Sequence, residues 1–422
     1  MMIVCQFARA SRQNPLHPTF RKYKQRITME WFLLPSIETI GPPMRILNKS
    51  YIQFILTGTL AFSTQISLAG PPTCLALFEQ HNSGVQGFFF DQAKPLAMTM
   101  IGDLKQLVDE GKNDYRIKGK ESTYSQPLTL IVASGSTAET TFSVDASLRG
   151  QTSVDAMPFP KLKVKGKGLP TLKLITHGWE TDGKDLVGNG MLASPKAVYR
   201  EASVYELLES LNFPLAKSQR ALITYKDTST NYVTTQPALI LETTGDAAKR
   251  LGGDEVDPLQ ITKAQKKKLA SSTWATLSAL TEVMIGNWDF DLPYGKDALA
   301  GIHNISAITL KSGEILPLME DFNMSSAVTG FVTANPHIQA DFHPDKPPLF
   351  RSMLFNLLLA KSQLTVSNFK QAVAFFASKK EVLLKAVEKA DVDSDGRENI
   401  RAHVITFFEI LTPPYQNETL PK

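Results

Sequence analysis

The stretch "MIGNWDFDLPYGKDALAGIHNISAITLKSGEILPLMEDFN", Met284–Asn323, decides how this chain is read. Its first residues end a helical pattern, "LASSTWATLSALTEVMIGN" (Leu269–Asn287), with Trp274, Leu277, Leu280 and Met284 on one side. Its last residues spell a β-hairpin: "ISAITL", the turn "KSGE" with Ser312-Gly313 at its tip, and "ILPLM". Between the two lies a Gly- and Pro-broken loop carrying Asn287, Asp289, Asp291, His303 and Asn304, and the hairpin runs straight into Asp321. Asp and Asn in a loop, with a second Asp at a hairpin end, form a hard-oxygen donor set of the kind that holds Mg²⁺ against phosphates. A loop carboxylate such as Asp289 is also suited to orient or deprotonate an attacking hydroxyl.

Working upstream, "TLKLITH" (Thr171–His177) reads as a strand carrying Lys173, and "PKAVYREASVYELLESLN" (Pro195–Asn212) as a helix. On the helical wheel Val198, Ala202, Tyr205 and Leu208 share one face, with Glu201 in its middle. A carboxylate on a buried face is costly unless a cation meets it, so Glu201 calls for a partner such as Lys173. Two strands follow, "RALITYKDT" (Arg220–Thr228) and "PALILETTGD" (Pro237–Asp246). A strand Lys, a helix Glu, two strands, a helix, a polar loop and a hairpin ending in Asp make a parts list for phosphoryl transfer. In that chemistry catalysis is mostly positioning and charge neutralisation.

Further out, "PLAMTMIGDLKQLVDEG" reads as a short mixed segment, and "PLTLIVASG", "TTFSVDASLRG" and "FPKLKV" alternate as half-buried strands do, giving a β-rich unit from about Thr73 to Val164. From about Pro348 the chain reads as helical: "LFRSMLFNLLLAK", "VSNFKQAVAFFASKKEVLLKAVEKA" and "RAHVITFFEIL". One rival metal motif, "DVDSDG" (Asp391–Gly396), copies the first half of a calcium loop, but Ala402 stands where a bidentate Glu belongs; it reads as a polar turn between helices. "KVKGKG" (Lys163–Gly168) reads as a hairpin turn rather than a phosphate loop. The histidines show no zinc-ligand spacing, and no Ser-His-Asp or Cys-His signature is present.

The length of 422 residues implies two or three domains. The net charge of +4 is concentrated at the front, where residues 1–69 hold Arg9, Arg12, Arg21, Lys22, Lys24, Arg26, Arg45 and Lys49 against Glu30 and Glu38. The body is near neutral, so no basic field points to nucleic acid. From Met44 the chain reads as a signal peptide. Arg45 and Lys49 form the positive region, Phe54 to Phe62 the apolar core, and Ser67-Leu68-Ala69 the cleavage site. Residues 1–43 then read as a mis-assigned upstream extension. The mature chain would hold Cys74 alone, and no other segment approaches a transmembrane span.

The pattern "IGNWD … HN … LPLMEDFN", with "LRGQTS", "FPKLKV", "LKLITHG", "VYREASVYELL", "LITYKDT" and "ALILE" upstream, resembles a family of exported bacterial proteins similar to the HipA-like and CotH-like atypical kinases. The resemblance runs from roughly Pro95 to Phe331. It implies an α+β, two-lobed protein-kinase-like fold, with a β-rich N-terminal lobe (residues 70–247, after a signal peptide at 44–69) and a mainly helical C-terminal lobe (248–422). It further implies that Lys173 touches nucleotide phosphates, that Glu201 holds Lys173, and that Asp289 is the catalytic-loop Asp. Asn304 and Asp321 become the metal ligands, while Arg149 and Glu242 join Lys173 in the nucleotide-binding set. ATP and Mg²⁺ are the implied cofactors. The implied activity is transfer of a phosphoryl or nucleotidyl group to an unknown protein or small-molecule acceptor, in the periplasm or outside the cell. The chain departs from the pattern in three places: fifteen residues separate Asp289 from Asn304, Trp288 follows Asn287, and Asn323 stands where a second Asp is usual. These departures keep open the alternative of a catalytically inactive kinase-fold binding protein of the bacterial envelope.

Overall fold

The computed structural model describes residues 89–419 apart from 91–93, 120–121, 134–138, 151–153, 155–156, 158, 177–195, 257–261, 263, 266–268, 270–271, 288–304, 331 and 333–340. The signal peptide, the upstream extension and the loop carrying Asp289, Asp291, His303 and Asn304 lie outside the described residues.

Seven strands close into a barrel. They are β1 (Leu96–Gly102), β2 (Ser125–Ala133), β3 (Thr140–Leu148), β4 (Leu162–Gly166), β5 (Leu172–Ile175), β6 (Ser218–Asp227) and β7 (Val233–Glu242), in the order β1-β2-β3-β4-β5-β7-β6. Every pairing is antiparallel except β1 with β6, which is parallel and closes the ring. The segment "PLAMTMIG", read from sequence as mixed, supplies the closing strand. Leu96, Met98 and Met100 alternate into the interior beside Leu130, Val132, Ile223 and Tyr225. Helix α1 (Leu104–Lys118), capped by Asp103, covers one side of the barrel, and at Gly111 the missing Cβ leaves room for Leu148, which a Cβ would meet at 2.6 Å. The "KVKGKG" segment is the β4–β5 hairpin, as its sequence suggests.

The outer face of β5 and β7 belongs to a second core. Ile175, Leu239 and Leu241 pack with helix α2 (Ala197–Glu209) and with the helical half of the chain. After α3 (Thr244–Arg250), β8 (Gly253–Val256), β9 (Ile305–Leu310) and β10 (Ile315–Met319) form a small sheet in the order β10-β9-β8. Helix α4 (Thr273–Ile285) is buried on all sides from Trp274 onward, which explains why its apolar residues spread around the wheel instead of forming one stripe. Around it lie a short α5 (Ser326–Thr329), α6 (Pro348–Gln363), α7 (Val366–Lys389), α8 (Ser394–Ile410) and α9 (Pro413–Gln416). Among the described residues no helix is long and apolar enough to cross a membrane.

Candidate functional site

Lys161 precedes β4. Leu162 and Val164 point into the barrel, so Lys161 falls on the opposite face with Lys163, whose register partner is Lys173 of β5. Lys161 is only 3% exposed and lies near Glu201 of helix α2. Its Nζ lies 2.5 Å from Asp321 Oδ1, and its charge also acts on Glu201.

Glu201 is 1% exposed and accepts a hydrogen bond from the Phe322 backbone N–H, while its Oε1 has no hydrogen-bond partner among the described residues. Burial pushes its carboxyl up to about 8, Lys161 draws it down, and the Asp321 charge pushes it up again.

Asp321 follows β10 in a left-handed conformation, φ 64° and ψ 60°, which a non-glycine residue adopts at a cost of about 1–3 kcal/mol. Its backbone N–H donates to the Tyr205 hydroxyl at 3.3 Å, and the Tyr205 ring lies 4.7 Å from that of Phe322. The hairpin, the turn and α2 thus fix Asp321 together. Its side chain is 34% exposed, so it can still meet a ligand.

Immediately beside this group, Glu320 Oε2 accepts from Lys173 Nζ at 2.9 Å and Glu320 Oε1 from Ser306 Oγ at 2.9 Å. Lys173 also donates to Thr244 Oγ1 at 3.1 Å. Burial raises the Glu320 carboxyl, but the charges of Lys173 and Arg149 and the hydrogen bonds from Lys173 and Ser306 outweigh it and hold the group below its ordinary value. Arg149, at the end of β3, acts on both Glu201 and Glu320, and its backbone N–H donates to Lys161 O at 2.9 Å.

The structure therefore brings Lys173, Glu201, Arg149 and Asp321 of the sequence-derived set into one region, but pairs them differently. Lys173 meets Glu320 rather than Glu201, and Lys161 takes the place beside Glu201. The two lysines share one barrel face, and the strand pattern alone could not say which lies under α2. Lys161 and Glu320 were missed in the sequence. The available signal was a lysine alternating with core residues in "FPKLKV", and a second acid adjoining Asp321. Glu242 sits at the end of β7, but its carboxylate is taken by Arg250, with Nη2 at 2.7 Å and Nε at 3.1 Å, and by the Lys217 backbone N–H at 3.0 Å. A nucleotide-binding role for the Glu242 side chain would require breaking this buried ion pair.

Lys161, Lys173 and Arg149 thus gather with Glu201, Glu320 and Asp321 in one cluster of three basic and three acidic side chains. Among the described residues no group of three or more His, Cys, Asp or Glu gathers as a metal site. Asp321 and Glu320 offer hard oxygens, and any further ligand from Asp289 or Asn304 lies outside the described residues.

No family model matches the sequence, and no curated protein matches it. Among solved structures, a Golgi casein kinase is similar over 61% of this chain and 71% of its own, at 9% identity and a TM-score of 0.34. The Golgi casein kinase with Mn/ADP bound is similar over 60% and 69%, at 8% identity and a TM-score of 0.33. HipA of Shewanella oneidensis MR-1, in complex with HipB and operator DNA, is similar over 58% and 59%, at 10% identity and a TM-score of 0.32.

Proposed function

We propose that this chain binds a nucleoside triphosphate with Mg²⁺ and transfers its terminal phosphoryl group, or a nucleotidyl group, to an unidentified protein or small-molecule acceptor after export. The observation that carries the reading is the burial of Lys161 beside Glu201, from helix α2, and Asp321, from a left-handed turn. A lysine held in place by carboxylates from separate elements is the kind of positioned cation that phosphoryl transfer uses against phosphates.

In this reading Lys161 and Arg149 receive phosphate oxygens. Glu201 orients Lys161 and gains or loses a proton as the ligand's charge enters. Lys173 and Ser306 hold Glu320 in place, and Asp321, with its side chain 34% exposed, would hold the cation. Mg²⁺, when bound, supplies charge neutralisation on the phosphates. Asp289 and Asn304 remain the proposed hydroxyl-orienting and metal-binding residues of the intervening loop.

A non-catalytic binding protein on the same fold is the second reading. It is favoured by Asn323, which leaves the turn one acid fewer than the related pattern. Thermal melting of the mature chain tests the first claim: Mg-ATP should raise the melting temperature of the wild type and not of Asp321→Ala. Absence of any shift with every nucleotide would sink both phosphoryl and nucleotidyl transfer. Following labelled γ-phosphate into acceptors then separates an enzyme from a binder.

A further inference from the structure

Gly396 stands in the first turn of α8, although glycine is a poorer helix former than alanine. The reason lies in another element. A Cβ at Gly396 would meet Arg200 Nε at 2.8 Å and Arg200 Cγ at 2.9 Å. Arg200 projects from α2 across this bare turn, and its fork closes on Asp393, with Nε 3.0 Å from Oδ1 and Nη2 2.7 Å from Oδ2. Both side chains are nearly buried, at 11% and 8% exposed. Asp393 also caps α8 by accepting from the Gly396 N–H. The hydrogen bonds from Arg200 hold the Asp393 carboxyl below its ordinary value, against the effect of burial.

A second arginine repeats the arrangement one turn further along α2. Arg220 of β6 donates to Glu206 through Nε at 2.6 Å and Nη2 at 2.9 Å, to Ser203 Oγ at 2.9 Å, and through Nη1 to the Asp391 carbonyl. Positions 200, 203 and 206 of α2 are thus fastened, directly or through Arg220, to the turn Asp391–Asp393. Glu201, next in sequence to Arg200 and about 100° around the helix, faces Lys161.

We infer that Arg200 and Asp393 are positioning residues. The α7–α8 turn, with Gly396 as the floor of an arginine socket, sets the rotation of α2 and so holds Glu201 against Lys161. The "DVDSDG" segment is then a receptor for two arginines rather than a calcium loop. Both Asp393 oxygens are engaged by Arg200, and Asp391 contributes its carbonyl to Arg220. The consequence for nucleotide rests on the function proposed above, whereas the consequence for α2 does not.

The test uses the mature chain with two variants that spare the site. Asp393→Asn keeps a helix-capping residue but removes the charge, and Arg200→Met keeps the aliphatic stem over Gly396 but removes the fork. Hydrogen exchange without nucleotide should quicken about tenfold in Ala197–Glu209 in both variants, with the barrel strands unchanged, as expected for losing a charge-assisted pair. The carboxyl infrared bands of Glu201, assigned by their absence in Glu201→Gln, should shift in both as the contact with Lys161 is lost. Mg-ATP affinity should fall about tenfold beside the wild type. Unchanged exchange in α2, or an equal increase throughout the molecule, would overturn the inference. So would Ca²⁺ binding by the wild type that Asp393→Asn abolishes. If the wild type binds no nucleotide, the proposed function fails, and the exchange and infrared arms still decide the role of the socket.

Discussion

Glu282 lies inside helix α4, fully buried, with the Asn287 side chain as the polar group beside its carboxyl. Burial pushes its carboxyl from an ordinary 4.5 up to about 8, and the nearby Asn287 side chain offsets only part of this. Between those two values the folded chain holds a proton that the unfolded chain has released, so stability falls as pH rises through the window. At 1.36 kcal/mol per pH unit, the loss from this residue between pH 5 and 7.5 is about 3 kcal/mol. Replacing Glu282 with Gln removes that dependence while keeping the shape. Gln still buries an unpaired amide, which costs about 1–3 kcal/mol at every pH, so the readout is the change in the difference and not its sign at one pH. In urea titrations at pH 5, 6, 7 and 7.5, Glu282→Gln should gain about 3 kcal/mol relative to the wild type across the series. Glu201 contributes the same slope to both proteins and cancels. Parallel stability curves for the two proteins would refute the reasoning, because a carboxylate that ionises at its ordinary pH inside α4 would have to find a partner.

His403 carries the opposite dependence. Its Nε2 lies 2.6 Å from Ser326 Oγ and its Nδ1 2.8 Å from the Asn399 carbonyl, while burial pushes its pKa down to about 4. The folded chain resists protonating it, so this contribution is present above pH 6.5 and is lost as pH falls toward 4. His403→Gln should therefore close on the wild type by about 3 kcal/mol between pH 7 and pH 4, measured by denaturant midpoint. Two glycines with the same backbone test packing against conformation. Gly286 ends α4 at φ 63°, and a Cβ there would sit 1.9 Å from Ser326 Oγ, whereas Gly119 ends α1 at φ 63° with nothing within 4 Å. Gly119→Ala should cost about 1 kcal/mol and Gly286→Ala clearly more, and equal losses would show that Ser326 yields freely.

Much of the fold was legible because local rules sufficed. Alternation marked β2, β3 and β4, and the Ser-Gly turn marked the β9–β10 hairpin, whose tip Gly313 has φ 77°. The closure of the barrel was not legible. It depends on β1 pairing in parallel with β6, more than a hundred residues away, and no local pattern encodes such a register. At the site, Glu201 announced itself as an acid on an apolar helix face, and the structure buries it. Its neighbour did not. Lys161 and Lys173 have the same side-chain chemistry on the same barrel face, and their assignment follows from where α2 crosses that face. Glu242 entered the nucleotide-binding set through the resemblance alone, and its ion pair with Arg250, eight residues on, has no signature in the strand pattern. Arg200 and Asp393 are separated by 193 positions, so their pairing has no sequence signature beyond the glycine at 396.

In the proposed function Lys161, and not Lys173, meets a bound nucleotide's phosphates. Calorimetric titration of ATP with Mg²⁺ into the wild type, Lys161→Met and Lys173→Met distinguishes the two. The account predicts Mg²⁺-dependent binding by the wild type and a loss of at least about tenfold in Lys161→Met, as expected when a charge-assisted contact is removed, with a smaller loss in Lys173→Met. Undiminished binding by Lys161→Met, or no binding by the wild type, would contradict it.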